Sequence, residues 1–171
     1  MKILVFGESG QVATELAKRA DVIAIGRDQA DFSDAESVIS IVEQTDADVI
    51  INAVAYTAVD KAEEEEALAA SVNGTTVAQM AIVAAARNIP LLHISTDYVF
   101  AGDGTDAWKP TDTTAPLGVY GRTKLLGEHG VIAAGGPHVI LRTSWVFSAH
   151  GNNFVKTMLR LGADCDALSI V

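Results

Sequence analysis

Five apolar runs alternate with stretches of helical spacing, and this alternation constrains the 171-residue chain more than any other feature. The runs are KILVFG (2–7), DVIAIG (21–26), DVIINAVA (48–55), PLLHIST (90–96) and HVILRTSWV (138–146). Most are continuous rather than alternating, as strands buried on both faces are. Helical patterns occupy 11–19, 34–45, 62–88, 118–134 and 152–162. Strand and helix in turn predict βαβ units and a parallel sheet. The stretch 62–88 is long for one helix, and NGT at 73–75 predicts a break into two. EEEE at 63–66 reads as the solvated first turn of a helix, where acidic residues suit the dipole. LSIV at 168–171 reads as the start of another strand. GDGTDAWKPTDTTAPLG (102–118) is the one extended loop, of a length that often carries function.

Composition narrows the partners. At 49% apolar residues the chain is globular rather than disordered. A formal charge of −10 argues against nucleic acid and against an anionic membrane surface. No apolar run approaches the ~20 residues of a membrane span. The N-terminus lacks the apolar segment and cleavage site of a secretory signal. Cys165, the single cysteine, fits a reducing cytoplasm. It has no neighbouring base, so no nucleophilic role is assigned to it. His129, His138 and His150 lack metal-ligand spacing, and no metal ligand is assigned. His93, in an apolar run, reads as a packed core residue.

VFGESGQVATEL (5–16) follows the first strand and opens the first helix. Gly7 allows a tight turn, and Gly10 lets backbone amides approach a pyrophosphate at a helix N-terminus. Ala13 stands where a third glycine is usual. A plain strand–helix turn is the alternative, but the position in the first βα unit favours a nucleotide loop. The fold class is therefore α/β, a Rossmann-like doubly wound parallel sheet flanked by helices on both faces. The second strand ends in Gly26–Arg27 rather than in an acidic residue. The Arg27 fork matches a 2′-phosphate, which leans toward NADPH over NADH unless Arg27 simply faces solvent. Asp31 and Phe32 are placed to flank an adenine.

VYGRTKLLGEHG (119–130) sets Tyr120 and Lys124 four apart on one helix face. Such a pair arises by chance in about one chain of this composition in ten. An ammonium beside a phenol favours the phenolate and is expected to lower the Tyr120 pKa toward a proton-exchanging range. Ser95, Thr96 and Asp97 end the fourth strand at the carboxyl edge, where open α/β sheets bind ligands. A hydroxyl there can bond the same oxygen that Tyr120 protonates. Each of these residues alone would be read as turn chemistry.

With NAVAYTAVDKAE, STDYVFAGDG, APLGVYGRTKLLGE, LRTSWVFSAHGNNF and KTML in the same order, nearly the whole chain resembles the extended short-chain dehydrogenase/reductase family. The resemblance implies NAD(P)H-dependent reduction of the C4 keto group of a dTDP-linked 4-keto-6-deoxy sugar, giving dTDP-L-rhamnose for cell-surface polysaccharide. It implies that Gly10, Gln11 and Val12 contact the pyrophosphate region, Asp31 and Phe32 the adenine, and Ala55, Tyr56 and Thr57 the nicotinamide side. Tyr120 would be the proton donor, Lys124 the holder of the nicotinamide ribose, and Thr96 the oxyanion stabiliser. Asp97, Trp145 and Asn153 would border the sugar.

Members of the family continue beyond position 171. Residues 1–171 would then be the NAD(P)-binding domain, inactive alone, with most of the nucleotide-sugar pocket in a further C-terminal domain. Some members carry Mg²⁺ at a homodimer contact, where Glu15 matches one position, but one carboxylate cannot hold a hard cation. Two other readings share the same motifs. One is an epimerase or dehydratase that retains its NAD, and the other a non-catalytic dinucleotide-binding regulatory subunit.

Overall fold

The computed structural model describes every residue except Ala20, Asp166 and 169–171. The strand expected at 168–171 therefore lies, apart from Leu168, outside the described residues.

Five parallel strands form one sheet in the order β2-β1-β3-β4-β5. They are β1 (Ile3–Phe6), β2 (Val22–Ile25), β3 (Val49–Asn52), β4 (Leu91–Thr96) and β5 (His138–Thr143). Each lies within an apolar run read from the sequence. The chain starts mid-sheet, pairing Ile3 with Val22 on one side and Val49 on the other. It therefore reverses its direction of winding between β1 and β3, which opens a crevice at the carboxyl ends of those strands.

Alternation along each strand feeds two cores. Leu4, Phe6, Ile50 and Leu91 face one layer, where they pack with Val38, Val42, Val77, Met80 and Val131. Those partners come from α2 (Ala35–Gln44), α5 (Thr76–Ala86) and α6 (Val119–Ala134). Val5 and Ile51 face the other way and pack with Ala13 and Leu16 of α1 (Gln11–Arg19). Burying each large aliphatic side chain contributes roughly 1.5–3 kcal/mol. The last helix, α7 (Phe154–Asp164), begins at Asn153, whose Oδ1 accepts from Lys156 N at 3.0 Å. The helix is thus capped by a residue that the resemblance placed beside the sugar.

The region 59–88 differs from expectation. A short α3 (Val59–Ala62) precedes α4 (Glu66–Ala70), and a π turn (Ser71–Thr75) joins α4 to α5. NGT is therefore no break, because Glu66–Ala86 runs as one helix of 21 residues. By length and composition alone it could cross a bilayer, a feature hidden when the stretch is read as two helices. Here half of its most apolar window is buried, with Val77, Met80, Ala81 and Ala84 in the sheet-facing core. The π turn persists because it points Asn73, fully buried, at partners on both sides. Asn73 Oδ1 accepts from Tyr56 N at 2.8 Å, and its Nδ2 donates to Tyr56 O at 3.1 Å and to Thr123 Oγ1 at 3.2 Å. Helix α6 lies against this turn through Gly127, where a Cβ would sit 2.2 Å from Asn73 O. One side chain thus fixes the 55–57 loop and α6 together.

Candidate active site

Gly7 takes φ +109, a conformation that disfavours any side chain, and its N–H donates to Ile25 O at 2.9 Å. The loop after β1 therefore crosses the crevice and delivers Gly10 to the start of α1. Two cavities, of about 570 and 720 Å³, meet there and share Ser9, Gly10, Ala53, Val54, Ala55 and Thr57. Together they make one trough along the carboxyl edge of the sheet.

Gly7, Arg27, Asp31, Phe32 and Tyr56 line one end of the trough. Gln11, Val12, Asp97, Tyr120, Lys124 and Trp145 line the other. Phe32 is 2% exposed and packs edge-to-face with Phe6, so it offers the trough wall little free ring surface. Asp31 accepts from Ser33 N at 2.9 Å and from Arg27 Nε at 3.1 Å, and its carboxyl is held below the usual range by Ser33 and then by Arg27. Trp145 sits at φ +52 with its ring 4.5 Å from that of Phe154. Strain of this kind in a non-glycine residue often marks a functional site.

Asn153 is not on the trough wall, which Asn152 lines instead. Its amide donates to Gln11 Oε1 at 2.9 Å and to Ser148 O at 2.8 Å, so its hydrogen bonds are committed to capping α7 and holding Gln11. Ser95 lines the trough but commits its hydroxyl to Glu128 Oε1, to which it donates at 2.5 Å. Thr96 is not on the wall but sits behind Tyr120. It is 5% exposed, lies beside the Tyr120 phenol and bonds Asp97 Oδ1 at 3.2 Å. Asp97 Oδ2 in turn accepts from Ser144 Oγ at 2.6 Å.

The electrostatics correct one expectation. Burial pushes the Tyr120 phenol up, a hydrogen bond from Thr96 opposes that shift, and Asp97 adds to it. Lys124 does not act on Tyr120. Its ammonium runs inward, donates to Ile94 O at 2.6 Å and is 1% exposed. Burial pushes Lys124 down to about 8, against the attraction of Glu128. The Lys124 charge is thus held on the backbone of β4, and Tyr120 is kept in its protonated form.

Four supporting residues were given no role from the sequence, although Glu63, Glu128 and Arg142 lie within the stretches that carry the resemblance. Asn73 and Glu63 brace α6, with Glu63 Oε1 accepting from Val119 N at 2.7 Å. Glu128, 1% exposed, takes bonds from Arg142 Nε at 3.0 Å and Nη2 at 2.7 Å. Arg142 Nη1 also donates to Pro110 O at 3.1 Å, and its guanidinium lies 4.9 Å from the Phe100 ring. Phe100 stacks on Trp108 at 4.7 Å, so Trp108 anchors the 102–118 loop. The signal for Glu128 was present in the sequence, since Tyr120, Lys124 and Glu128 recur every four residues along one helix face. His93 is a core residue as expected. Asn52 Nδ2 donates to its Nδ1 at 3.1 Å, its Nε2 has no partner, and burial pushes its pKa well down.

The residues present do not fit Mg²⁺. Glu15 lies 3.3 Å from the Lys18 ammonium, so its charge is already met by a cation. Among the described residues no group of three or more His, Cys, Asp or Glu could hold a metal.

Comparison with known proteins agrees with this architecture. The chain is 45% identical to a dTDP-4-dehydrorhamnose reductase of Shigella flexneri, over all of this chain and 60% of that protein. It is 41% identical to one from Mycolicibacterium smegmatis, over 99% of this chain and 54% of the relative. The crystal structure of a dTDP-4-dehydrorhamnose reductase from Clostridium acetobutylicum superposes with a TM-score of 0.92 at 37% identity, covering 98% of this chain and 61% of that one. One from Bacillus anthracis, in complex with NADP, superposes at 0.90 with 33% identity, covering 96% and 60%. The chain thus spans about 60% of the length of these relatives. A family model described as the RmlD substrate binding domain matches residues 1–171, and the chain belongs to that family.

Proposed function

We propose that this chain is the dinucleotide-binding part of an NAD(P)H-dependent reductase acting on the C4 keto group of a dTDP-linked 4-keto-6-deoxy sugar. The observation that carries the reading is the meeting of Tyr120 and Lys124 at one end of a trough whose other end begins at Gly7, with the Thr96 hydroxyl behind the Tyr120 phenol. The relatives named dTDP-4-dehydrorhamnose reductase supply the substrate class.

When bound, the reduced nicotinamide supplies the hydride. Gly10 and the start of α1 would take the pyrophosphate, and Ala55, Tyr56 and Thr57 would flank the ring. Tyr120, kept protonated by burial, donates its proton to O4 as hydride reaches C4. Thr96 bonds the phenol and steadies the developing phenolate. Lys124 would hold a ribose hydroxyl, still largely charged at neutral pH with a pKa of about 8. Asp97 and Trp145 face the same end and would border the sugar.

The test is NAD(P)H oxidation on addition of the keto sugar, by the chain carried to the length of its relatives. Tyr120→Phe should cut turnover by roughly two to four orders of magnitude while dinucleotide binding survives. Near-normal turnover by that variant, or no net cofactor consumption by the parent, overturns the reading.

A further inference from the structure

We propose that Glu8 makes this trough select the unphosphorylated adenosine ribose of NADH over the 2′-phosphate of NADPH. The inference rests on the reading of the trough as a dinucleotide site.

Dinucleotide folds read the adenosine ribose at the end of the second strand, which here is Gly26. Two carboxylates converge over that glycine. Glu8 Oε2 lies 2.6 Å, and Asp28 Oδ1 2.7 Å, from the point where a Gly26 side chain would begin. Asp28 follows the second strand, where an acidic group is usual, and Glu8 adds a second carboxylate from the glycine loop. Among the described residues neither carboxylate forms an ion pair.

The nearby cations are committed elsewhere. Arg27 Nε bonds Asp31 Oδ2 at 3.1 Å, with the arginine side chain 80% exposed. Lys61 is paired with Glu65 at 2.7 Å. Arg27 could leave Asp31 at little cost, because exposed pairs contribute little. Even then, one guanidinium would face a 2′-phosphate together with two carboxylates that have no other counter-charge. A ribose 2′-hydroxyl has the opposite relation to the same wall, since it donates a hydrogen bond to a carboxylate that only accepts. The difference between the two cofactors is thus built from one attraction and one repulsion.

The test is calorimetric titration of the 171-residue chain with NADH, NADPH, 5′-AMP and 2′,5′-ADP at low ionic strength. The expected result is NADH bound about tenfold or more tightly than NADPH, with the same order for the two adenosine fragments. Glu8→Gln should narrow that ratio, Glu8→Lys should invert it, and raising the salt should compress it. Glu8 is an exposed loop residue, so these variants leave the core untouched. NADPH binding as tightly as NADH, or a ratio that Glu8→Gln leaves unchanged, overturns the proposal alone. Failure of either dinucleotide to bind removes the dinucleotide reading and this proposal with it.

Discussion

Glu63 Oε1 accepts the backbone N–H of Val119 at 2.7 Å, which ties the turn after α3 to the first residue of the helix that carries Tyr120. The first N–H groups of a helix have no internal partner, and a carboxylate there also suits the dipole. Gly118 leaves room for this approach, since a Cβ would sit 3.0 Å from Glu63 Oε1. The same turn follows residues 55–57, so the cap couples that loop to Tyr120.

Glu63→Ala should therefore lower kcat more than it lowers stability. Loss of a cap costs about 1 kcal/mol, whereas a misplaced proton donor costs rate directly. We expect kcat to fall about tenfold or more with KM for the cofactor little changed, and Glu63→Gln, which keeps an acceptor, to recover most of it. Steady-state kinetics beside a thermal melt decide the matter. A melt that drops with kcat unchanged would leave Glu63 a purely structural cap.

The buried pair of Glu128 and Arg142 makes a different prediction. Arg142→Ala strands a carboxylate that is 1% exposed, which costs about 3–5 kcal/mol. The double variant Glu128→Leu with Arg142→Leu removes both charges and should recover much of that loss. Urea denaturation of the three proteins tests this. Equal destabilisation by the single and double variants would show that the pair's value lies in packing and not in charge compensation.

What was legible in the sequence follows from how local each signal is. The strands and the helices α1, α2, α6 and α7 reveal themselves through periodicity and glycine punctuation, which act within a few residues. The trough was legible too, because doubly wound sheets open at one place and Gly7, Asp97 and Tyr120 all line it. The π turn was not. Gly74 suggested a break, whereas buried Asn73 holds the helix together by bonds to Tyr56 and Thr123, residues 17 and 50 positions away. Glu63 was hidden in an acidic run that looked solvated, since its partner lies 56 positions on. The direction of the Tyr120 shift also failed, because spacing places Lys124 on the same helix face but says nothing of how far its ammonium runs inward.

Lys124 gives the last prediction, in the pH dependence of stability. Burial takes its pKa from 10.5 in the open chain to about 8 in the fold. Between those values the unfolded chain binds a proton that the folded chain does not, so stability rises with pH across that window. Below about 8 the folded protein carries the full cost of a desolvated ammonium, about 3 kcal/mol at most. Lys124→Met removes this cost and also removes the bond to Ile94 O, which returns roughly 1 kcal/mol of loss. The variant should therefore match or exceed the parent at pH 7 and lose that advantage steadily toward pH 10. Tyr120, pushed the other way, erodes stability only above its ordinary value of 10.0, at the top of the window, and does so in parent and variant alike. Urea midpoints at pH 7, 8.5 and 10 measure the difference. Parallel curves for parent and variant would mean that the fold does not depress Lys124, and that its ammonium reaches solvent or a counter-charge.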